Sequence, residues 1–257
     1  MTESSCVLLE EVAEHTAICL RRLESPATPG PQERGSREWF PAASVIKVGI
    51  MSCLLDAVER GRKSLAEPVS LSAEDMVGGA GVLLEMEPRD YTLAELCRLM
   101  MVVSDNTASN ACLRAVTMEG LNDFFQARGY QAEVQRYFMS PVVGGKDNRM
   151  TAEAAALMLV DLYAGRELSS ELRDFAVGCL RRQQYREKLP LLLPEGVQVG
   201  HKTGELDGVR HDAAVVETES PYAVVIFTEM GREPWLVDQA MAIRSRLIFD
   251  AMEGALS

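Results

Sequence analysis

The sequence predicts an α+β protein: an antiparallel sheet assembled from both ends of the chain and flanked by helices, with an all-α lobe inserted between the two sets of strands. Strand-like runs at His15 to Leu23 and Arg37 to Phe40 lie near one end, and three more, Val197 to Gly204, Arg210 to Glu217 and Tyr222 to Glu229, lie near the other. Between them, residues 48 to 185 carry mainly helical periodicity. The economical arrangement is a five-stranded sheet lobe built from residues 1–47 and 190–257, with 48–189 as the helical insertion. A cleft between two such lobes is a favoured place for a small-molecule site.

Taken in order, Val7 to Glu14 reads as a short amphipathic helix before the first strand. Glu24 to Ser36 holds Pro26, Pro29, Gly30, Pro31 and Gly35 and reads as a turn-rich hairpin connection. The second strand leads into Phe40-Pro41-Ala42-Ala43-Ser44-Val45-Ile46-Lys47. From Val45 to Leu55 the chain is apolar apart from Lys47 and Ser52, and it continues as Asp56-Ala57-Val58-Glu59-Arg60, too long for a buried strand. A buried helix is therefore expected, closed by Gly61-Arg62 and followed by an extended Pro68 to Leu71. Gly78-Gly79-Ala80-Gly81 is a turn without the pattern of a phosphate loop. Thr92 with Glu95 forms a capping box for a helix to about Val103. Ser104-Asp105-Asn106 interrupts, and helices follow from about Thr107, from Glu119 to Arg128, from Thr151 to Tyr163, and from Ser169 or Ser170 to Arg182. Met139 to Asn148 is irregular. Tight turns at Asp207-Gly208 and Glu219-Ser220-Pro221 join the last strands, and a helix from Pro234 to Met252 closes the chain.

The 257 residues are 47% hydrophobic and 25% charged, the balance of an ordinary globular protein. A net charge of −12 argues against a nucleic-acid partner. Met1-Thr2-Glu3-Ser4-Ser5 has neither the basic nor the apolar part of a secretory leader, and no apolar run is long enough to span a membrane, so a cytoplasmic protein without a membrane partner is expected. Cys6, Cys19, Cys53, Cys97, Cys112 and Cys179 form no C-x-x-C pair and read as reduced core residues. His15, His201 and His211 are not at metal spacing, so neither a metal nor another cofactor is expected.

Ser44 and Lys47, three residues apart at a helix start, share a face. The pair is either a solvated helix start or a nucleophile beside an amine whose pKa burial depresses. Two later stretches decide between these. Ser44-x-x-Lys47, Ser104-Asp105-Asn106 and Lys202-Thr203-Gly204 occur in this order, each at the expected junction of elements. Together they are the motif set of class A β-lactamases and penicillin-binding proteins. The chain resembles the class A β-lactamase-like serine hydrolases of the penicillin-recognising superfamily over about residues 7 to 254.

The resemblance implies a β-lactamase/transpeptidase-like fold with Ser44 as nucleophile, Lys47 as base, and Ser104 as proton relay assisted by Lys202. It also implies an oxyanion site from the backbone N–H groups of Ser44 and Glu205. Lys202 and Thr203 would bind a substrate carboxylate, Gly204 would let substrate approach the strand, and Asn106 would reach Lys47 or a substrate amide. Asp105 reads as structural. Arg210 is either a second cation for the substrate or the partner of an acid such as Glu205 or Asp207, and Glu205 itself would disfavour a carboxylate. His201 is expected to face away from Lys202, and Tyr137 to pack.

One part of the family pattern is absent. Arg136 to Asn148 contains no Glu-x-x-x-Asn, the loop pair that releases the acyl group in class A enzymes. Its only acid, Asp147, either closes the loop or serves the site. The expected activity is a serine hydrolase acting through an acyl-serine on a small-molecule ester, amide or β-lactam carbonyl, and an inefficient β-lactamase. The alternatives are a β-lactamase with a different deacylating group, or a penicillin-binding sensor that does not turn over. Family members often carry a disulfide between the helices that here hold Cys53 and Cys97, and a reduced pair is expected.

Overall fold

Apolar side chains on both faces of the C-terminal strands require a sheet covered on each side, and the fold supplies both layers. The structure, a computed structural model, describes residues 9–28, 30, 33–231 and 233–254. Cys6, Val7, Leu8, Pro29 and Pro31 lie outside the described residues. The chain runs α1 (Leu9–Val12), β1 (Ala13–Arg22), β2 (Trp39–Pro41), a 3-10 turn (Ala43–Ile46) and α2 (Lys47–Glu59). Next come β3 (Pro68–Ser70), β4 (Asp90–Thr92), α3 (Leu93–Val102), α4 (Asn106–Val116) and α5 (Met118–Arg128). They are followed by β5 (Ala132–Glu133), β6 (Arg149–Thr151), α6 (Ala152–Ala164) and α7 (Ser170–Arg181). The long strands β7 (Gln198–Leu206), β8 (Val209–Glu217) and β9 (Tyr222–Gly231) precede α8 (Pro234–Met252).

The main sheet is antiparallel in the order β1-β9-β8-β7, so its first strand in the sequence pairs with its last. Along β9, Tyr222, Val224 and Ile226 pack with α1 and α8, while Ala223, Val225 and Phe227 face the helical side. That second core runs without a break from the sheet through α6 and α2 to α3, α4 and α5. α6 is buried along nearly its whole length between sheet and helices, which accounts for its almost continuous apolar sequence. Among the described residues no helix is long and apolar enough to cross a membrane.

Among the described residues this sheet has four strands, where five are expected. Arg37 to Phe40 does not return along β1; instead β2 pairs with β6 in a small separate sheet of three strands. Beside β1, Ile18 and Arg34 exchange N–H···O bonds of 2.9 and 3.0 Å and the Gly30 N–H donates to the Leu20 carbonyl at 3.1 Å. Ser169 stands at the N-cap of α7 without a side-chain capping bond, whereas Thr92 and Glu95 form the expected capping box of α3.

His211 ties this sheet to the chain just before Ser44. Its Nε2–H donates to the Pro41 carbonyl at 2.8 Å, its Nδ1 accepts from the Thr228 N–H at 3.1 Å, and the ring stacks on Phe227. Both bonds fit the neutral ring, and burial lowers its pKa from 6.5 to about 4. Between those values the unfolded chain binds a proton that the folded chain refuses, so stability rises with pH across that window and is lost as pH falls through it. Thermal unfolding followed from pH 7 to pH 4 is expected to show this loss, and His211→Gln to shed that part of the slope. An equal slope in the variant contradicts the assignment.

Candidate active site

The cleft of about 660 Å³ has Ser44 on one wall and Ser104 on another. Ser44 sits on the 3-10 turn rather than on the first turn of α2, and Ala43 before it has φ +45°. Lys47 opens α2 and is fully buried among apolar neighbours, as the sequence pattern requires. The edge strand β7 presses against this turn. A Cβ at Gly204 would stand 3.0 Å from Val45 Cγ2 and 3.1 Å from Ala43 Cβ, so the glycine is needed for packing of strand on turn. This is a different reason from the substrate approach inferred from sequence.

Ser104 lies between α3 and α4 with φ +55°, a sparsely populated conformation for a residue with a side chain. Its neighbours hold it there. Asp105 caps α4 through the Ala108 N–H at 2.9 Å, and its other oxygen accepts from the Val82 and Leu83 N–H groups at 2.7 and 2.8 Å. The glycine cluster serves this contact: a Cβ at Gly81, where φ is +100°, would collide with Asp105. Asn106 donates from Nδ2 to the Gly78 carbonyl, which fixes its Oδ1 toward Lys47.

Three of the four residues expected to be catalytic meet at one hydroxyl. Lys47 Nζ lies 3.0 Å and Lys202 Nζ 3.1 Å from Ser104 Oγ. Lys47 also donates to the Ser104 carbonyl and to Asn106 Oδ1, each at 2.8 Å. Among the described residues no hydrogen bond reaches the Ser44 side chain, and the hydrogen bonds of Lys47 go to Ser104 and Asn106. Burial drives the Lys47 pKa well down, and Lys202 lowers it further. Burial takes Lys202 down to about 7, against the opposing pull of Asp212. Two buried amines beside one hydroxyl cannot both carry charge cheaply.

The loop from Arg136 to Asn148 closes the cleft. Arg136 pairs with Asp147 at 2.6 Å, which assigns Asp147 to closing the loop. Asn110 grips the backbone of Phe138, accepting from its N–H at 2.8 Å and donating to its carbonyl at 3.1 Å. The Phe138 ring centroid then lies 4.5 Å from Lys47 Nζ. An apolar ring stands against the amine, and no sequence signal distinguished this phenylalanine from a packing residue.

A profile of the β-lactamase enzyme family matches residues 6–252. The chain belongs to the β-lactamase enzyme family. It is 30% identical to β-lactamase FAR-1 of Nocardia farcinica over 200 residues, 74% of this chain and 63% of that protein. It is 24% identical to β-lactamase BRO-1 of Moraxella catarrhalis over 201 residues, 74% of this chain and 64% of that protein. The matches thus span a little under two thirds of those relatives' length. Its structure superposes on a β-lactamase of Sphaerobacter thermophilus with a TM-score of 0.85 at 27% identity, covering 93% of this chain and 91% of that one. A mutant of PBP-A, solved as an acyl-enzyme complex with penicillin G, superposes with a TM-score of 0.83 at 26% identity, covering 93% and 90%.

In this family member the remaining site residues are placed as follows. Asn106, Thr203, Glu205 and Arg210 line the cleft with Ser44. Arg210 is held by Asp238 of α8 through Nε at 2.9 Å and by Glu205 at 3.0 Å. Glu205 also accepts from Lys188 at 2.5 Å. His201 is buried on the sheet, its Nδ1 3.0 Å from Asp212. Tyr137 packs on the helical core. Cys19, Cys53, Cys97, Cys112 and Cys179 are free and buried, with Cys53 Sγ near the Gly120 carbonyl and Cys97 within electrostatic reach of Cys112 and Cys179. Among the described residues no cluster could hold a metal ion.

Because Asp105 alone satisfies three backbone N–H groups, Asp105→Ala is expected to cost about 3 kcal/mol. Asp105→Asn, which keeps one acceptor oxygen, is expected to cost less. Urea unfolding midpoints of the two variants check this order.

Proposed function

We propose that the protein is a serine hydrolase that acylates Ser44 with an ester, amide or β-lactam carbonyl and releases the acyl group slowly. The observation that carries this reading is the single hydroxyl of Ser104 held 3.0 Å from one buried amine and 3.1 Å from another, in the cleft that Ser44 lines. With Lys47 neutral, its two N–H groups serve the Ser104 carbonyl and Asn106, and its lone pair faces the Ser104 hydroxyl. When substrate engages Ser104, that lone pair is freed for the proton of Ser44.

Ser44 Oγ then bonds to the carbonyl carbon while its proton passes to Lys47. Charge growing on the carbonyl oxygen is met by the Ser44 and Glu205 N–H groups, β7 being an edge strand whose alternate amides are unpaired. As the carbon–leaving-group bond breaks, Ser104 supplies the proton the leaving group needs and recovers one from Lys47, while the Lys202 ammonium favours the charge developing on Ser104. Thr203 and Asn106 orient the substrate from the cleft walls.

Release of the acyl group requires a base on a water molecule beside the ester. Phe138 stands against Lys47 on the loop where class A enzymes carry their deacylating glutamate, and its ring neither binds nor activates water. Names among the relatives support β-lactams as one class of acyl donor, and the PBP-A mutant solved as an acyl-enzyme with penicillin G supports acylation by a penicillin. A penicillin-binding role without turnover is the second reading, favoured by the same phenylalanine.

Intact mass and product release, followed together with a penicillin and with a simple aryl ester, test this. The wild type is expected to form one adduct with each, to turn over the ester, and to hold the penicilloyl group. Ser44→Ala is expected to lose both adducts, and Phe138→Glu to release the penicilloyl group at least about 100-fold faster, the usual contribution of a positioned base. Ester turnover unchanged in Ser44→Ala overturns the assignment.

A further inference from the structure

The charged groups at the β7 end of the cleft are not arranged to receive an anion. Arg210 lines the cleft, but its Nε and one terminal nitrogen bind Asp238 and its other terminal nitrogen binds Glu205 at 3.0 Å. Lys188 is fully buried beneath, giving its hydrogens to Glu205 at 2.5 Å and to Glu187 at 2.9 Å. Arg136, the other cation on the cleft wall, is committed to Asp147 at 2.6 Å and to the Ser140 carbonyl at 3.0 Å.

What reaches solvent is the opposite charge. The side chains of Glu187 and Glu205 are 43% and 45% exposed, against 0% for Lys188 and 17% for Arg210. Around this end stand three carboxylates, Glu187, Glu205 and Asp238, for two cations. Burial works against ionisation of Glu205, but Lys188 and then Arg210 outweigh it and hold its carboxyl below the usual range, so it stays charged. Lys202 does not reverse the balance. It is fully buried and gives its hydrogens to Ser104 Oγ and the Thr203 carbonyl.

A substrate carboxylate laid along β7 would have to displace Glu205 from Arg210 and Lys188 and would still face Glu187. A protonated amine meets two exposed carboxylates without breaking any pair. We propose that Glu205 is a specificity-determining residue and that the protein selects an ester or amide carrying a protonated amine, rather than a carboxylate, on the side that lies along β7. This rests on Ser44 being the nucleophile of the same cleft and names the class of substrate that cleft takes.

The test uses matched aryl esters whose meta substituent is a carboxylate, a carboxamide or an aminomethyl group, made in two sets with the substituent on the acyl or on the alcohol side, so that either end is tried against β7. Binding is measured by calorimetry on Ser44→Ala, and turnover of the carboxamide esters on the wild type. In at least one set the aminomethyl ester is expected to bind about tenfold more tightly than the carboxylate ester, the scale of a solvent-exposed attraction gained in one ester and a like repulsion met in the other. That preference is expected to fall toward unity in 1 M salt, where the Debye length shrinks to about 3 Å. It is also expected to fall when Glu205→Gln is added to Ser44→Ala. Carboxylate esters binding as well or better in both sets, or a preference that survives Glu205→Gln, overturn the proposal. Should Glu205→Gln fail to fold, the preference in the parent and its loss in salt carry the test. Absent turnover of the carboxamide esters with the charge preference intact refutes the hydrolase reading alone.

Discussion

The site depends on the burial of two lysine amines against one hydroxyl. Lys47 and Lys202 come from the first turn of α2 and from edge strand β7, and both are fully enclosed. Placing them there without letting both ionise forces the fold to supply acceptors, and it does so with Ser104 and Asn106. The rest follows from holding that arrangement still. Gly204 lets β7 press on the turn that carries Ser44, His211 ties the chain just before that turn to β9, and Asp105 locks the junction at which Ser104 takes a positive φ. Strain at Ala43 and Ser104 is thus held by neighbours that are over-determined by hydrogen bonds.

Much of this was legible in the sequence, for identifiable reasons. The apolar run around Lys47 pointed to a buried lysine, and the family resemblance carried by the three motifs implied that Ser104 and Lys202 share its site. Alternation on two apolar faces gave the long C-terminal strands. What periodicity could not give was pairing between distant segments. It assigned Arg37 to Phe40 to the main sheet, where the chain instead pairs β2 with β6. It placed Lys47 on the face of Ser44 but could not show that the amine also bonds the carbonyl and hydroxyl of Ser104. Arg210 was left between substrate and acid, and only the docking of α8 brings Asp238 to it. Phe138 was invisible because an aromatic residue in a loop carries no signal until its distance to Lys47 is known.

That phenylalanine bears on both halves of the proposed cycle. Its ring stands against the buried Lys47 amine, and burial favours the neutral form that the proposed acylation needs. In the proposed deacylation the same ring offers water no base. At the other end of the cleft, Glu205 pairs with Lys188 and Arg210, and the proposed preference for a cationic substrate rests on those pairs.

The account stands on the charge state of the two amines, and the five lysines of the chain make it measurable. Carbon-13 labelling at the lysine Cε positions, with Lys47→Arg and Lys202→Arg variants for assignment, allows each amine to be titrated by NMR in the intact protein. Two resonances are expected to titrate below the ordinary lysine value of 10.5, Lys202 at about 7 and Lys47 well below its ordinary value. If Lys47 and Lys202 both remain ammonium ions up to the ordinary lysine range, the neutral base is absent and the mechanism built on it is wrong.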